Sequence, residues 1–357
     1  MIRIHIHENG AGPRESSLLG IIRESRVPGM VSYHYERPEG YQAFARAQGS
    51  SFRVIEAEED GVSLGFTQVT FDRVNWEGRA IGIAYSGDTR VTSASRGKRI
   101  SDSLIQRACS LSVPVWGAVM SSNRTVLTSK LNHWRKSGID FSLIAELEAC
   151  FYSPLERPRS IVGLSCREAV PSDLPTMFTL WNRYSESHNL TRIYPDLDTF
   201  ASDFPRGSSL ESTLLIHQND ELIAMTGLWN QDPIRTIRVD SRAPLLKLAL
   251  SLIPDPWIHL PAEGEELKIL YSYRHAWIPG HPMAANALQL LIEEARFRAR
   301  RENRHFFCFG IDTRDPLASR ARKGTLFRNR ARIICDPRGD LRLLEGKRSL
   351  HLEVGMG

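Results

Sequence analysis

The chain contains 357 residues, and because domains usually contain about 100–200 residues, this length favours two domains. Hydrophobic residues make up 41% and charged residues 24% of the sequence, which are ordinary globular values and exclude collagen, a coiled coil and a wholly disordered chain. The 46 Lys and Arg residues exceed the 41 Asp and Glu residues, giving a net charge of +5. This excess suits a phosphate-bearing ligand but is too small to predict nucleic-acid binding.

Several features predict the cellular setting. Five scattered cysteines without a CxxC pair argue against a disulfide framework or a zinc site and favour a reducing cytoplasm. Residues 1–8 alternate like a strand and lack the apolar segment of a signal peptide, and His5 and His7 belong on that strand's surface, so we predict no metal site. The most apolar stretch, residues 245–253, is too short to cross a membrane. We therefore expect a soluble cytoplasmic protein.

A proline-rich break divides the sequence near its middle. Pro154 and Pro158 each disfavour a helix at the preceding residue, which predicts an extended linker between two domains, residues 1–157 and 158–357. In the first half, the patterns predict a hairpin over residues 51–70 with an acidic turn, then a long strand, a helix, a strand, a second helix and a final apolar run. These last five elements cover residues 80–91, 101–108, 115–120, 123–135 and 141–152.

The second half repeats this order of elements. A helix is predicted from Leu174 to about Tyr184, with Pro175 in its first turn, and a second hairpin follows. That hairpin is formed by residues 213–217 and 222–227. After an insertion over about residues 229–266 come a strand, a long helix and a buried strand, at residues 267–273, 282–301 and 305–309. The two halves therefore look like copies of one design, although their residue identities differ.

A basic loop between the long strand and the following helix is the most informative segment for function. A helix N-terminus exposes unpaired N–H groups and partial positive charge, which favour a bound anion. Arg96, Lys98 and Arg99 add full charges at this place, and the small residues Gly97 and Ser101 allow a phosphate to approach the backbone. The loop is neither a Walker loop nor a Rossmann fingerprint. It predicts a pyrophosphate site, and a solvated basic loop at an ordinary helix start is the alternative.

Residues 89–91 followed by Arg96-Gly-Lys-Arg-Ile-Ser101 resemble motif A of the GCN5-related N-acetyltransferases, whose signature is Arg/Gln-x-x-Gly-x-Gly/Ala after a strand. Arg96 fits the first position and Ile100 the usual apolar one. Arg99 replaces the central glycine and Ser101 the last small residue. The hairpin and the segment 123–141 resemble further parts of the family pattern, so the resemblance spans about residues 45–150.

The resemblance implies an α/β fold of two tandem acyl-CoA N-acyltransferase-type domains, each a mixed central sheet flanked by helices. It also implies acetyl-CoA or another acyl-CoA bound between the fourth and fifth strands of the first domain, which are residues 80–91 and 115–120 here. Backbone groups would bond the pantetheine arm, and N–H groups of residues 97–101 would hold the pyrophosphate. The implied coenzyme-binding residues are Thr89, Arg90, Val91, Arg96, Gly97, Lys98, Arg99, Ile100, Ser101 and Asn123.

The catalytic residues of the family match less well. In the family an acceptor amine attacks the thioester directly, helped by a general base, and a tyrosine often protonates the leaving thiolate. Trp134 occupies that tyrosine position and cannot act as an acid, and Tyr85 stands where some members have a glutamate. Tyr85 and Asp88 are therefore the candidate catalytic residues, with strand packing and a turn hydrogen bond as their alternatives. Asn123 is equally a candidate helix cap.

The second half resembles a degenerate copy. Residues 166–174 are similar to the opening of an acetyltransferase domain, but the loop 277–283 lacks the phosphate signature, and His281 there is a lone candidate base or ligand. Arginines crowd residues 296–304 and 314–332 among phenylalanines. Such a surface can grip RNA or a phosphorylated acceptor, but a solvated helix face beside a core strand is the favoured interpretation.

The sequence thus predicts an N-acetyltransferase that transfers an acetyl or other acyl group from acetyl-CoA or another acyl-CoA to a small-molecule or peptide amine. No membrane or nucleic-acid partner is expected. A non-catalytic acyl-CoA-binding or sensing protein is the alternative, and transfer of a larger acyl or aminoacyl group is a third hypothesis. The acceptor, the acyl-chain length and the oligomeric state stay open at this point.

Overall fold

The computed structural model describes residues 2–10, 14–29, 31–243, 260–338, 341–353 and 355. The apolar stretch 245–253 lies outside these ranges. Within them the chain forms sixteen strands and eight α-helices. None of the helices so described has the length and apolar character needed to cross a membrane.

The strands are β1 (Arg3–Glu8), β2 (Val31–Glu36), β3 (Ser51–Glu59), β4 (Val62–Trp76), β5 (Arg79–Val91), β6 (Val115–Met120), β7 (Ser142–Tyr152), β8 (Ser165–Glu168), β9 (His188–Asn189), β10 (Thr213–Gln218), β11 (Glu221–Asn230), β12 (Thr236–Arg242), β13 (Ile269–Trp277), β14 (Phe306–Asp312), β15 (Phe327–Asp336) and β16 (Ser349–Leu350). The helices are α1 (Glu15–Glu24), α2 (Tyr41–Gln48), α3 (Ile100–Cys109), α4 (Leu131–Lys136), α5 (Leu174–Ser185), α6 (Leu197–Ser202), α7 (Ala284–Arg301) and α8 (Ala318–Ala321).

Twelve strands form one mixed sheet in the order β1-β3-β4-β5-β6-β15-β7-β14-β13-β11-β10-β8. Helices pack on this sheet, and the largest apolar cores lie beneath α3 in the first half and beneath α5 and α7 in the second. The predicted mixed α/β class is therefore confirmed. Its physical basis is the alternation of buried strands with amphipathic helices that cover them.

Local pattern reasoning locates most of these elements. The hairpins β3–β4 and β10–β11 and the strands β5 and β6 lie where the sequence predicts them. The predicted helix over residues 123–135 is a π-helical turn, Thr125–Lys130, followed by α4. The sequence did not reveal β2 and β12, which pair with each other across the two halves, and β12 lies inside the predicted insertion.

The last strand of the second half is inserted into the sheet of the first half. β15 pairs antiparallel with β6 on one side and with β7 on the other. Because β15 separates β6 from β7, the outer edge of β7 pairs with β14 of the second half. The division at residues 157 and 158 stays a prediction, but the two halves share one sheet.

Arginines of β15 pair with carboxylates of β7. Glu148 is fully buried, and its carboxylate accepts hydrogen bonds from Arg330 Nε at 2.8 Å and Arg322 Nε at 2.5 Å. Burial alone would raise the pKa of Glu148, but the guanidinium groups of Arg322 and Arg330 hold it below its ordinary value. Arg332 Nε similarly lies 3.2 Å from Glu146. The interpretation of this arginine-rich segment as a solvated helix face is wrong at β15, because the alternating arginines belong to a strand and bond with carboxylates of the neighbouring strand.

The inserted strand predicts that residues 1–157 will not fold alone. Without β15, β6 and β7 lose their shared partner, and the charges on Glu146 and Glu148 lose their arginines. We expect this fragment to be insoluble or to lack a cooperative unfolding transition in circular dichroism. Co-expression with residues 158–357 should restore a soluble complex, and a monomeric fragment that unfolds cooperatively would contradict the prediction.

Candidate functional site

The strands β5 and β6 part from each other in the middle of the sheet. They are parallel, and they pair only at Ala84 with Val115 and Tyr85 with Trp116. Beyond these positions β5 stays paired to β4 as far as Val91, and β6 stays paired to β15 as far as Met120. The facing edges of residues 86–91 and 117–120 therefore lack each other as partners. We call this opening the first split.

A β-bulge bends β5 where the first split begins. Gln68 pairs with Gly87 and Phe66 pairs with Arg90, so one residue of β4 opposes both Asp88 and Thr89. Asp88 adopts a left-handed backbone with φ of 50°. A bulge adds an unpaired residue and increases the local twist. The bulge lies just beyond Tyr85, where the pairing of β5 with β6 ends.

The basic loop lies directly after β5. A 3₁₀ turn, Ser93–Ser95, leads into it, and Gly97 and Arg99 both have positive φ, 87° and 57°. No acceptor within the described ranges is recorded for the backbone N–H groups of Gly97, Arg99, Ile100 and Ser101. The side chains of Arg96, Lys98 and Arg99 are exposed, whereas Ile100 is buried beneath α3. The structure thus brings unpaired donors and three cations together at the first turn of a ten-residue helix.

Arg99 takes a glycine-like backbone although it is not glycine. A left-handed conformation costs a non-glycine residue roughly 1–2 kcal/mol. Its side chain is exposed to solvent and is not packed into the protein. The replacement of the family's glycine therefore leaves the backbone path in place and adds a charge.

Lys130 is a further cation at the loop that sequence reasoning missed. Its Nζ lies 3.0 Å from Ser101 Oγ and 2.6 Å from Asp102 Oδ1. Trp134 also donates from Nε1 to Asp102 Oδ1, at 3.0 Å. Trp134 thus holds α4 against α3, and its contacts are structural. The long sequence separation hides this arrangement, because only the packing of α4 on α3 brings Lys130 to the loop.

The remaining predicted coenzyme residues lie around the first split. Thr89 Oγ1 is 2.7 Å from Thr67 Oγ1, and Arg90 extends away to bond Asp88. Asn123 Oδ1 accepts a hydrogen bond from Val126 N at 3.2 Å. Asn123 therefore caps the helical segment, which was the alternative to coenzyme binding in the sequence analysis. Val91 packs against the core beneath α3.

Tyr85 lies at the base of the first split. Its ring contacts the Trp116 ring with centroids 4.4 Å apart, at the last position where the two strands pair. The ring also covers Gly87, where an added Cβ would lie 2.5 Å from it. Burial raises the pKa of Tyr85 to about 12, and no described residue is recorded as a hydrogen-bond partner of its hydroxyl. Tyr85 therefore stays protonated at neutral pH and has an O–H to donate.

Asp88 is held in a buried ion-pair cluster. Its carboxylate bonds Arg90 Nε at 2.9 Å and Arg37 NH2 at 3.3 Å. Burial alone would raise the pKa of Asp88, but Arg90 and Arg37 lower it below its ordinary value. A carboxylate with a lowered pKa is a weak base, so these contacts favour a structural role over proton abstraction.

The second half contains a corresponding split between β13 and β14. These parallel strands pair at three positions that end with Tyr271 and Cys308. Here, however, the chain itself bridges the opening, because Leu350 N donates to Asp312 of β14 at 2.7 Å and Arg274 N of β13 donates to Glu353 Oε1 at 2.6 Å. We call residues 349–353 the bridging segment and this opening the second split.

The loop before α7 also differs from the basic loop. His281 Nδ1 accepts a hydrogen bond from Met283 N at 3.2 Å. The imidazole thus accepts the backbone N–H of Met283, which is then not free to bind an anion at the helix start. His281 is a capping residue in this structure.

The overall fold has counterparts among solved structures. The chain superposes on Saccharomyces cerevisiae N-myristoyltransferase with bound myristoyl-CoA at a TM-score of 0.61 and 12% identity, covering 94% of this chain and 82% of that one. The chain has the N-myristoyltransferase fold. A second such structure gives 0.61 and 12% over 94% and 79%, and a third, which also holds inhibitors, gives 0.57 and 11% over 94% and 80%.

N-myristoyltransferases belong to the GCN5-related superfamily, and their fold is a tandem acyl-CoA N-acyltransferase arrangement. The predicted fold is thus confirmed at the level of architecture. No family model matches the chain, and no curated protein matches it. That the second half is a degenerate copy stays a prediction.

We predict that Asp88→Asn destabilises the protein by about 3 kcal/mol at pH 7, because it leaves two buried guanidinium groups without their carboxylate. The lowered pKa means that the stabilisation is complete above the unfolded-state pKa of about 4 and is lost as the pH falls through the folded-state value. Urea unfolding should therefore show the wild-type advantage shrinking as the pH falls below about 4.

Asp140→Asn is the matched control, since Asp140 forms an exposed ion pair with Arg135. It should change stability by less than about 1 kcal/mol. Equal stability of Asp88→Asn and wild type at pH 7 would contradict the structural role of Asp88.

Proposed function

We propose that this chain is an acyl-CoA-dependent N-acyltransferase that binds its coenzyme in the first split. One observation carries the proposal: the split opens directly onto a helix N-terminus with unpaired N–H groups and the cations Arg96, Lys98 and Arg99. The sequence resemblance and the N-myristoyltransferase fold support the same location. The second split offers no equivalent site, because the bridging segment lies across it.

The coenzyme would lie with its pantetheine arm along the unpaired edge of residues 86–91. That edge offers backbone donors and acceptors, which suit the two amides of pantetheine. The pyrophosphate would lie at the N–H groups of residues 97–101, beside Lys98 and Lys130. Thr89 at the bulge and Asn123, which follows β6, would border the coenzyme.

In the proposed reaction the acceptor amine attacks the thioester carbonyl, a C–N bond forms, and the C–S bond breaks. The amine loses a proton, and coenzyme A departs as a thiolate that gains one. Tyr85 is the proposed hydrogen-bond donor to this thiolate, since its hydroxyl lies where the strands part. With a pKa of about 12 it is a weaker acid than a thiol, so the proton that the thiolate gains is the one that the amine loses. Asp88 stays the candidate general base from the sequence analysis. Its ion pairs with Arg37 and Arg90, however, favour a role in holding the bulge in place over proton abstraction.

Acetyl-CoA is the donor that the sequence resemblance implies, and the similar solved structures hold myristoyl-CoA. We therefore propose an acyl-CoA donor and a small-molecule or peptide amine as acceptor. All five cysteines are free thiols, in keeping with the proposed cytoplasmic location. Calorimetric titration with acetyl-CoA and with myristoyl-CoA identifies the donor class, and failure of both to bind would refute the proposal.

We predict that Lys98→Glu weakens coenzyme A binding about tenfold, because it replaces a cation at the pyrophosphate with an anion. Lys136→Glu makes the same charge change on an exposed residue at the far end of α4 and should leave the dissociation constant unchanged. An equal loss of affinity in both variants would indicate a long-range charge effect. Unchanged affinity in Lys98→Glu would show that the phosphate site lies elsewhere.

A second prediction addresses catalysis. Tyr85→Phe should lower kcat about 100-fold and leave coenzyme binding within twofold, because the hydroxyl acts only when the thiolate leaves. A non-catalytic acyl-CoA-binding protein is the second candidate function, favoured by the ion pairs that make Asp88 a weak base. Tight binding without turnover of any acyl-CoA across a panel of small amines and peptides would favour that candidate.

A further inference from the structure

Two histidines and a glutamate meet inside the second half, away from the first split. His275 belongs to β13, whereas His351 and Glu353 both lie in the bridging segment. One ligand atom from each of the three side chains lies within 4.8 Å of the other two. His351 Nε2 and Glu353 Oε1 are already 2.9 Å apart.

Two polar atoms of this cluster are buried and have no hydrogen-bond partner among the residues that the structure describes. They are His275 Nδ1 and Glu353 Oε2. His275 is only 3% exposed, and so is His351. Buried polar atoms in folded proteins are almost always bonded, and an unsatisfied one costs about 1–3 kcal/mol. Two such atoms in one cluster therefore point to a missing partner between them.

We infer that His275, His351 and Glu353 bind one Zn²⁺ ion. A tetrahedral zinc site has bonds of about 2.0–2.2 Å, which places its ligand atoms about 3.4 Å apart. Ligand atoms up to 4.8 Å apart must close by at most about 1.4 Å to reach this geometry, whereas His351 Nε2 and Glu353 Oε1, now 2.9 Å apart, must separate by about 0.5 Å. Two imidazoles and one carboxylate are a common ligand set for zinc, and a water completes the fourth position. This inference revises the expectation of no metal site, and it does not depend on the proposed acyltransfer.

The site has a structural task. Aromatic rings surround it, with the His275 ring 4.5 Å from that of Phe309 and the His351 ring 5.5 Å from that of Tyr184. His275 and His351 are each only 3% exposed, so the ion would lie inside the protein. Because His275 belongs to β13 and the other two ligands follow β16, the ion would fasten the bridging segment across the second split. Zinc thus keeps the second split closed in the native state.

The test uses the full-length protein. Elemental analysis after purification with zinc should find one Zn²⁺ per chain, and zinc added to the chelator-stripped protein should raise the melting temperature by about 5 °C. His275→Gln and Glu353→Gln should each abolish the stoichiometric ion. Co²⁺ in the wild-type protein should give the intense visible absorption of a tetrahedral site, a readout that stays valid if a variant fails to fold.

His188→Gln is the matched control, because His188 is buried in the same core but already bonds Asp315 at 2.9 Å. It should retain one Zn²⁺ per chain. A His5→Gln, His7→Gln double variant removes the exposed pair on β1 and should retain the ion as well. Substoichiometric zinc in the wild type, a Co²⁺ spectrum without tetrahedral bands, or loss of the ion in either control would overturn the inference and leave a hydrogen-bonded His–Glu pair.

Discussion

The insertion of β15 between β6 and β7 is the constraint on which the rest of the structure depends. It supplies a partner to each of these strands, places the arginines of β15 against Glu146 and Glu148, and moves β7 to the edge of β14. Because Glu148 is fully buried, a shift of this strand by one residue would move Arg330 away from its carboxylate, so that of the hydrogen-bond partners Arg322 and Arg330 only Arg322, which lies outside β15, would stay in place. The register of the shared sheet is therefore tightly specified.

The shared sheet places two splits in one molecule, and the chain treats them differently. In the first, the edges of β5 and β6 are free, and the helix start beyond them has unpaired donors and several cations. In the second, the bridging segment connects β13 to β14, and His281 caps the helix start. The same architecture thus offers one open position and one filled position, which is why a coenzyme is proposed only for the first. The proposed zinc ion would reinforce this difference.

The candidate site was partly predictable from sequence. The basic loop, the strands on either side of it and the position of Tyr85 follow from local patterns, since a strand, a polar turn and an amphipathic helix each leave a periodic signature. Trp134 and Arg99 depart from the pattern that the sequence resembles, and only the structure shows what each residue does at its position. Trp134 holds α4 to α3 through Asp102, and Arg99 adopts the left-handed backbone that its glycine counterpart would favour. Lys130 was missed because no local pattern connects it to the loop.

By itself the sequence determined the local elements: the two hairpins, the paired order of strands and helices, and the basic helix start. These depend on residues within a few positions of one another, so periodicity and turn chemistry are sufficient to specify them. Only the tertiary structure decided that β15 crosses into the first half, that its arginines bond β7, and that His275 meets His351 and Glu353. These pairings join residues far apart in the chain, and their energies come from burial and charge pairing in the assembled sheet, which no local pattern records.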